Sequence, residues 1–454
     1  MSRRSQGAKR RPTALKPGGE ALEGRRLLTS GWPSYLSAAE LRSLLNEPLG
    51  YPAVRPNTPV LPFGAAARDA TYIDPSVGVT NGYAVILGTG SFVGPFAKLN
   101  ASDGVVKIGG GSVILDNASI TANPTHAKGP DVPEVRIGDG VQVGYGATIT
   151  GPSAIGAYGA AYKPTSIGAG AVIDGAVIEP GAFVSPQARV GPGVTVPTGM
   201  KVLPGADVTT QAEAADPALG KVAPVTAEDV AELGRTLTAN LQLGAGYTTL
   251  YQGLSATGIS PAVPRTQSGV FNGNLSNVLG SNVQPGPPTT YLPPGTAPKY
   301  PTPRRGLAQG VLVGFPARAT GNASFLQRPH GVARSVGRRN AIRADQGQPI
   351  TIGSIASTGY GVTINAPYGG SLAIGQRLVA GEGAVILGGA AGTRSVLGDD
   401  VTVGPGAVLR GSSLGSGSSV GPNAYLVNSS FPDGTVIPAG AIYVNNAPAG
   451  QVDR

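Results

Sequence analysis

The sequence predicts an all-β chain of two tandem parallel β-helices, the first followed by an α-helix. Three observations carry this expectation. Apolar residues recur at every sixth position through two long stretches, Gly commonly follows the recurring aliphatic, and a capped apolar stripe at helical spacing follows the first stretch. A period of six fits neither a helix nor a simple alternating strand. It is the period of a hexapeptide-repeat β-helix, in which one aliphatic per short strand points into a narrow prism and small residues form the corners. Three hexapeptides make one triangular coil, and each coil buries its face only against the next.

The composition agrees with a folded chain. Gly and Pro account for 71 and 41 of 454 residues, close to a low-complexity composition, yet hydrophobic residues are 41% and charged residues only 13%. A disordered chain would be poor in aliphatics and rich in charge. With aromatics at 5%, the core has to be built from Val, Ile, Leu and Ala.

Residues 1–36 form a basic leader that lacks the apolar stretch of an ordinary secretory signal. Leu22, Glu23, Arg25, Leu27 and Leu28 resemble the Leu-Glu-x-Arg-x-Leu-Leu element of some bacterial cell-surface and exported proteins, with Gly24 where that element usually has Pro. The resemblance implies export to the cell surface. Residues 37–71 begin with Ser37 and Glu40, a capping box for a short helix carrying Leu41, Leu44 and Leu45, and continue as Pro-rich extended chain.

The first array spans 72–255. Leu87, Val93 and Leu99 open it, then Ile108, Ile114 and Ile120, then Ile137, Val143, Ile149, Ile155, Ala161, Ile167 and Ile173. After a five-residue step come Ile178, Val184, Val190, Val196, Val202 and Val208. Thr226 and Asp229 then start a helix with Val230, Leu233, Leu237 and Leu241 on one stripe, expected to pack on the side of the prism. Residues 256–310 read as a Pro-rich linker. The second array, 311–446, runs through Ile352, Thr358, Ile364, Ile374, Ala380, Ile386, Leu397, Val403 and Leu409 to Leu414, Val420, Leu426, Phe431, Ile437 and Tyr443. Residues 447–454 read as a tail. Two such arrays imply duplication of one domain type.

Several chemistries are excluded by what is absent. The chain has no Cys, so it has no disulfide, thiolate metal site or cysteine nucleophile. It has two His, His126 and His330, which handicaps any mechanism that needs a His cluster. No run of about eighteen apolar residues exists to span a membrane. The net charge of +9 is concentrated in residues 1–26 and in Lys299–Asp345, leaving the remainder mildly acidic. Neither basic segment interleaves aromatics or forms a known module, so no nucleic-acid partner is expected.

Further motifs narrow the family. Tyr72-Ile73-Asp74-Pro75-Ser76, Gly151-Pro152, Ile178-Glu179-Pro180, Val208 to Ala214, and Asn240-Leu241-Gln242-Leu243 with Gly246-Tyr247 mark the first half. Ile342-Arg343-Ala344-Asp345-Gln346-Gly347 and Pro349-Ile350 mark the second. Together they resemble the γ-class carbonic anhydrases, trimeric left-handed β-helices with a metal at each subunit interface. The resemblance implies two tandem left-handed copies, a homotrimer, and a joining role between subunits for Arg343 and Asp345. Asn100, Ser102 and Asp103 stand at the first copy's counterparts of Arg343, Asp345 and Gln346.

The metal chemistry departs from that family. Its three histidines hold a metal and leave a position for an activated water that attacks carbon dioxide. The corresponding positions here are Thr121, Tyr145 and Thr150 in the first copy and Asn365, Glu382 and Leu387 in the second. None is a histidine, and Leu387 has no donor atom, so neither metal nor other cofactor is expected. His126, five residues beyond Thr121, is a poor substitute on its own, and Asp103 and Asp116 read as corner residues. The reading reached is a non-catalytic carbonic-anhydrase-like tandem β-helix, a structural or binding module. The alternative is a carbonic anhydrase with a rearranged metal site. A hexapeptide acyltransferase, with His126 as general base, is a third reading, and fold alone selects none of them.

Overall fold

The computed structural model describes residues 71–252 and 317–453, apart from 75, 82–83, 89, 125–132, 158–162, 322, 327–334, 347–349, 368–369 and 390–392. The basic leader, the Ser37 helix, the Pro-rich linker, Ala161 and both histidines lie outside the described residues.

Two parallel β-helices follow one another along the chain, as the period of six requires. The first has sheets of eight, seven and six strands, the second sheets of eight, six and five. Stacking follows the repeat directly: Ile149 lies between Ile120 and Ile173 in one ladder, and Val143 between Ile114 and Ile167 in another. The described sixth-position aliphatics from Leu87 to Val208 are all buried, in a core cluster that contains no aromatic ring. The second core is built the same way, from Ile352 and Ile364 to Leu426 and Ile437. Its pattern loosens at two sites. Thr358 is half-buried, and Phe431 and Tyr443 are only partly covered, packing edge to face with ring centroids 5.2 Å apart.

Corners decide how closely coils stack. Gly168 opens one corner, and a Cβ there would lie 2.4 Å from the backbone nitrogen of Pro186 in the next coil. Glycine is therefore required by close backbone approach.

Each solenoid ends in a strand that reverses direction. Val222–Pro224 runs antiparallel to Met200–Val202, and Ala447–Gln451 runs antiparallel to Ala441–Val444. These strands cover an exposed ladder edge, a common way of stopping further strand addition. The sequence pattern places 447–454 in a tail. Its backbone hydrogen-bonding groups are instead used in the ladder, and the Asp453 amide donates to the Gly205 carbonyl of the first prism at 2.9 Å.

The helix Ala227–Gln252 starts at the expected cap: Thr226 Oγ1 accepts from the Asp229 amide while Asp229 Oδ2 accepts from the Thr226 amide. Leu233, Leu237 and Leu243 are buried and Leu241 is partly so, whereas Val230 in the first turn is 43% exposed. Asp229 also pairs with Lys201 Nζ, 2.7 Å away. The helix crosses the strands Tyr72–Ile73, Phe92–Val93 and Val113–Ile114. Gly244 brings it close to Phe92, to which a Cβ would approach within 3.2 Å.

The two prisms lie side by side. Arg339 donates to the Phe96 carbonyl, Asn117 Nδ2 to Thr363 Oγ1 at 3.0 Å, and Gln187 Nε2 to the Gly406 carbonyl. Both partners climb their own chain together along these contacts, so the prisms run parallel, coil beside coil. A third apolar cluster fills the junction with Phe92, Tyr145 and Phe183 of the first prism, Leu233 and Leu237 of the helix, and Leu387 and Tyr425 of the second prism.

Glycine substitutions should separate stacking from flexibility. Gly168→Ala is expected to lose about 1–3 kcal/mol, since backbone atoms must shift to admit the methyl group. Gly234→Ala, in the long helix where a Cβ would meet no atom within 4 Å, should gain up to about 1 kcal/mol. Urea midpoints at unchanged m-value read both.

Candidate functional site

Neighbouring strands of the second prism present Arg343, Asn365 and Leu387 in a row, because Arg343 pairs with Asn365 and Asn365 with Leu387 across the ladder. Opposite them are successive corners of the first prism. The Gly146 amide donates to the Asp116 carbonyl, which stacks the corner bearing Tyr145 on the corner bearing Asp116. Two rows with the same coil spacing therefore meet layer by layer.

In the first layer Arg343 Nη1 donates to Asp116 Oδ1 at 2.6 Å. Both side chains are almost wholly buried, at 1% and 0% exposure. Arg343 Nε donates to Asp345 at 3.3 Å, Nη2 reaches Asn240 Oδ1 of the long helix at 3.5 Å, and the guanidinium lies 5.4 Å from the Phe92 ring centroid. Gln346 Nε2 also donates to Asn240 Oδ1, at 3.0 Å. One guanidinium thus ties together the first prism, the second prism and the helix. Burial pushes the Asp116 carboxyl up to about 6, against the opposing pull of Arg343.

In the next layer Asn365 Nδ2 donates to Tyr145 Oη at 2.6 Å. Asn365 is fully buried, and Tyr145 and Leu387 are each 7% exposed. Burial raises the Tyr145 phenol above its ordinary value, so the hydroxyl stays protonated. These are three of the six positions that the resemblance makes metal ligands, one from the first copy and two from the second. The other three do not join them. Thr121 and Thr150 lie side by side, half-buried, on another face of the first prism. Glu382 sits on a corner of the second prism and lines an open cleft of about 360 Å³ with Lys98, Thr148, Arg339 and Tyr360.

The residues of the second layer do not fit zinc. They offer a neutral phenol, an amide and an aliphatic side chain, whereas zinc sites draw on imidazole, thiolate and carboxylate. Among the described residues no group of three or more His, Asp or Glu could hold a metal ion, and no histidine occurs. Likewise, among the described residues no helix is long and apolar enough to cross a membrane.

Arg343 and Asp345, expected between subunits, are engaged within the chain. Sequence reasoning misses their partners. Asp116 has the pattern of a corner residue, and Asn240 and Gln346 stand out only as parts of motifs. The available signal is the placement of the rare aromatics. Tyr72, Phe92 and Phe183 point outward from one face of the first prism and mark it as a covered face.

The fold and this junction place the chain in the class of hexapeptide-repeat parallel β-helices. No family model matches it, and no curated protein does. Among solved structures it is similar to a candidate acetyltransferase of Bacillus cereus, at 19% identity over 40% of this chain and 94% of that one, with a TM-score of 0.20. A hexapeptide transferase family protein of Anaplasma phagocytophilum is 14% identical over 39% of this chain and 93% of its own, with a TM-score of 0.21. A candidate acetyltransferase of Desulfovibrio desulfuricans is 13% identical over 86% and 68%, with a TM-score of 0.23. Likeness at this level transfers no activity.

The two kinds of ion pair should respond differently to substitution. Arg343→Met strands Asp116 and Asp345 in a dry junction and is expected to cost about 3–5 kcal/mol in urea unfolding. Arg377→Ala breaks an exposed pair with Asp400 and should leave the midpoint unmoved.

Proposed function

We propose that the chain is a non-catalytic, γ-carbonic-anhydrase-like tandem β-helix acting as a structural or binding module. The observation that supports this reading is the hydrogen bond from Asn365 to Tyr145, with Leu387 beside it, at positions that the resemblance assigns to metal ligands. A metal there would do two things, neutralising buried donors and pinning one prism to the next. An amide–phenol hydrogen bond and a leucine do the pinning without an ion. A carbonic anhydrase with a rearranged site would need three converging donors, and Leu387 supplies none. The open cleft beside Glu382 is one surface available for binding among the described residues, and its mixed lining of Lys98, Arg339, Glu382 and Tyr360 suits a polar ligand.

The test combines stability with reconstruction. Chelator is expected to leave the melting temperature of the full chain unchanged, since nothing that favours the folded state is withdrawn. A drop, or stoichiometric zinc with carbon dioxide hydration in the purified protein, would overturn the reading. Tyr145→His, Asn365→His and Leu387→His together should create zinc affinity measurable by calorimetry. The within-copy set Thr121→His, Tyr145→His and Thr150→His should not, because the Tyr145 corner faces the second prism. Turnover is not expected from either variant, because the surrounding groups that tune a metal site are changed.

A further inference from the structure

We propose that the junction is a proton-linked clamp: Asp116, sealed between the two prisms opposite Arg343, takes up a proton on mild acidification, and the proton stabilises the docked pair.

Charge balance in the junction is the first argument. The charged groups facing Asp116 are Arg343 and Asp345 from the second prism and Asp74 from the opening coil of the first, with the neutral Tyr145 phenol in the next coil. From the helix, the group at the junction is the uncharged Asn240. Asp74, Asp116 and Asp345 are each no more than 3% exposed, so Asp116 meets two like charges as well as Arg343 in a place that water does not screen. Like charges so close disfavour ionisation of the Asp116 carboxyl.

Hydrogen bonding says which carboxylate takes the proton. Asp74 Oδ1 accepts from both the amide and the hydroxyl of Ser76, and its Oδ2 accepts from Tyr72 at 3.3 Å. Asp345 accepts from Arg343 Nε with both oxygens. Asp116 uses Oδ1 for Arg343, and its Oδ2 has no hydrogen-bond partner among the described residues. An ionised oxygen without a partner is the most costly atom of the three groups, and a neutral hydroxyl there costs far less. The upward displacement of the Asp116 carboxyl has the same sense, with burial as its main cause and Asp345 and Asp74 adding to it.

The sign follows from linkage. The unfolded carboxyl titrates at its ordinary 3.8 and the folded one at about 6, so the folded state holds a proton between those values that the unfolded state has lost. The stabilisation is complete below about pH 4 and disappears as the pH rises through 6. The displacement corresponds to roughly a 100-fold change in the folding equilibrium.

The experiment is urea unfolding of the full chain from pH 4 to 7.5, in chelator so that metal plays no part, for wild type and Asp116→Asn. Asparagine keeps the Oδ1 acceptor and carries no charge at any pH. The ratio of wild-type to variant folding constants is expected to rise by roughly 100-fold on going from pH 7.5 to 4, beginning near pH 6 and half complete on a logarithmic scale at about pH 5, between the folded and unfolded titrations. Carboxylates remote from the junction cancel in that ratio. A ratio constant within threefold would overturn the proposal. Should Asp116→Asn fail to fold, Asp345→Asn serves instead, because removing a neighbouring negative charge should move the wild-type transition to lower pH. An unmoved transition would also overturn it.

Discussion

The arrangement of this molecule depends on one buried guanidinium. Among the described residues Arg343 is the largest of the fully buried side chains, and it donates to Asp116 of the first prism, Asp345 of its own prism and Asn240 of the helix. Each dehydrated ion costs several kcal/mol, so the pair with Asp116 is not evidence of great stability. What it supplies is register. A β-helix has the same backbone at every coil, and two prisms packed by aliphatic contact alone could slide by one coil with little change in buried area. A slide of one coil would leave Arg343 without Asp116 and Asn365 without Tyr145. The polar layers therefore select one alignment from several apolar ones, the role best attested for buried polar groups in repetitive structures.

That alignment also brings together three of the positions that the resemblance makes metal ligands. In the resembled family an ion sits where two prisms meet and belongs to both. Here the meeting place is occupied by side chains that satisfy or exclude one another directly, a phenol with an amide and a leucine in the apolar cluster. In the adjacent layer Arg343 and Asp116 tie the same two prisms together. Because the two prisms belong to one chain, the second is tethered at high effective concentration and the junction need not provide all the affinity of a subunit interface.

The solenoids were legible in the sequence because their cause is local and repeated. Ile137, Val143 and Ile149 each enter the prism for the same reason, so one period describes dozens of positions. The cap at Thr226 was legible too, since its hydrogen bonds lie within three residues of chain. The junction was not, because its contacts join residues more than a hundred positions apart, such as Asn240 with Arg343 and Asp116 with Arg343. The six positions are those that the resemblance implies, and their division could not be read from the resemblance alone. It took the packing of the two prisms to show that Tyr145 belongs with Asn365 and Leu387, while Thr121 and Thr150 lie on another face. Residue type misleads as well: an Asp in a corner is usually a turn former, and Asp116 occupies a corner while serving the neighbouring prism.

The two β-helices of one chain dock on each other in a single register, and covalent trapping across the junction tests this most directly. The chain contains no cysteine, so an introduced pair reports without background. Asn117 and Thr363 meet side chain to side chain at 3.0 Å across the junction. The double variant Asn117→Cys and Thr363→Cys should be bridged within one chain by a short bifunctional thiol cross-linker, read by mass spectrometry of the digest and by unchanged size under denaturing conditions. Cross-links confined to linked pairs of chains, or two cysteines that each react only with separate reagent molecules, would contradict the docking.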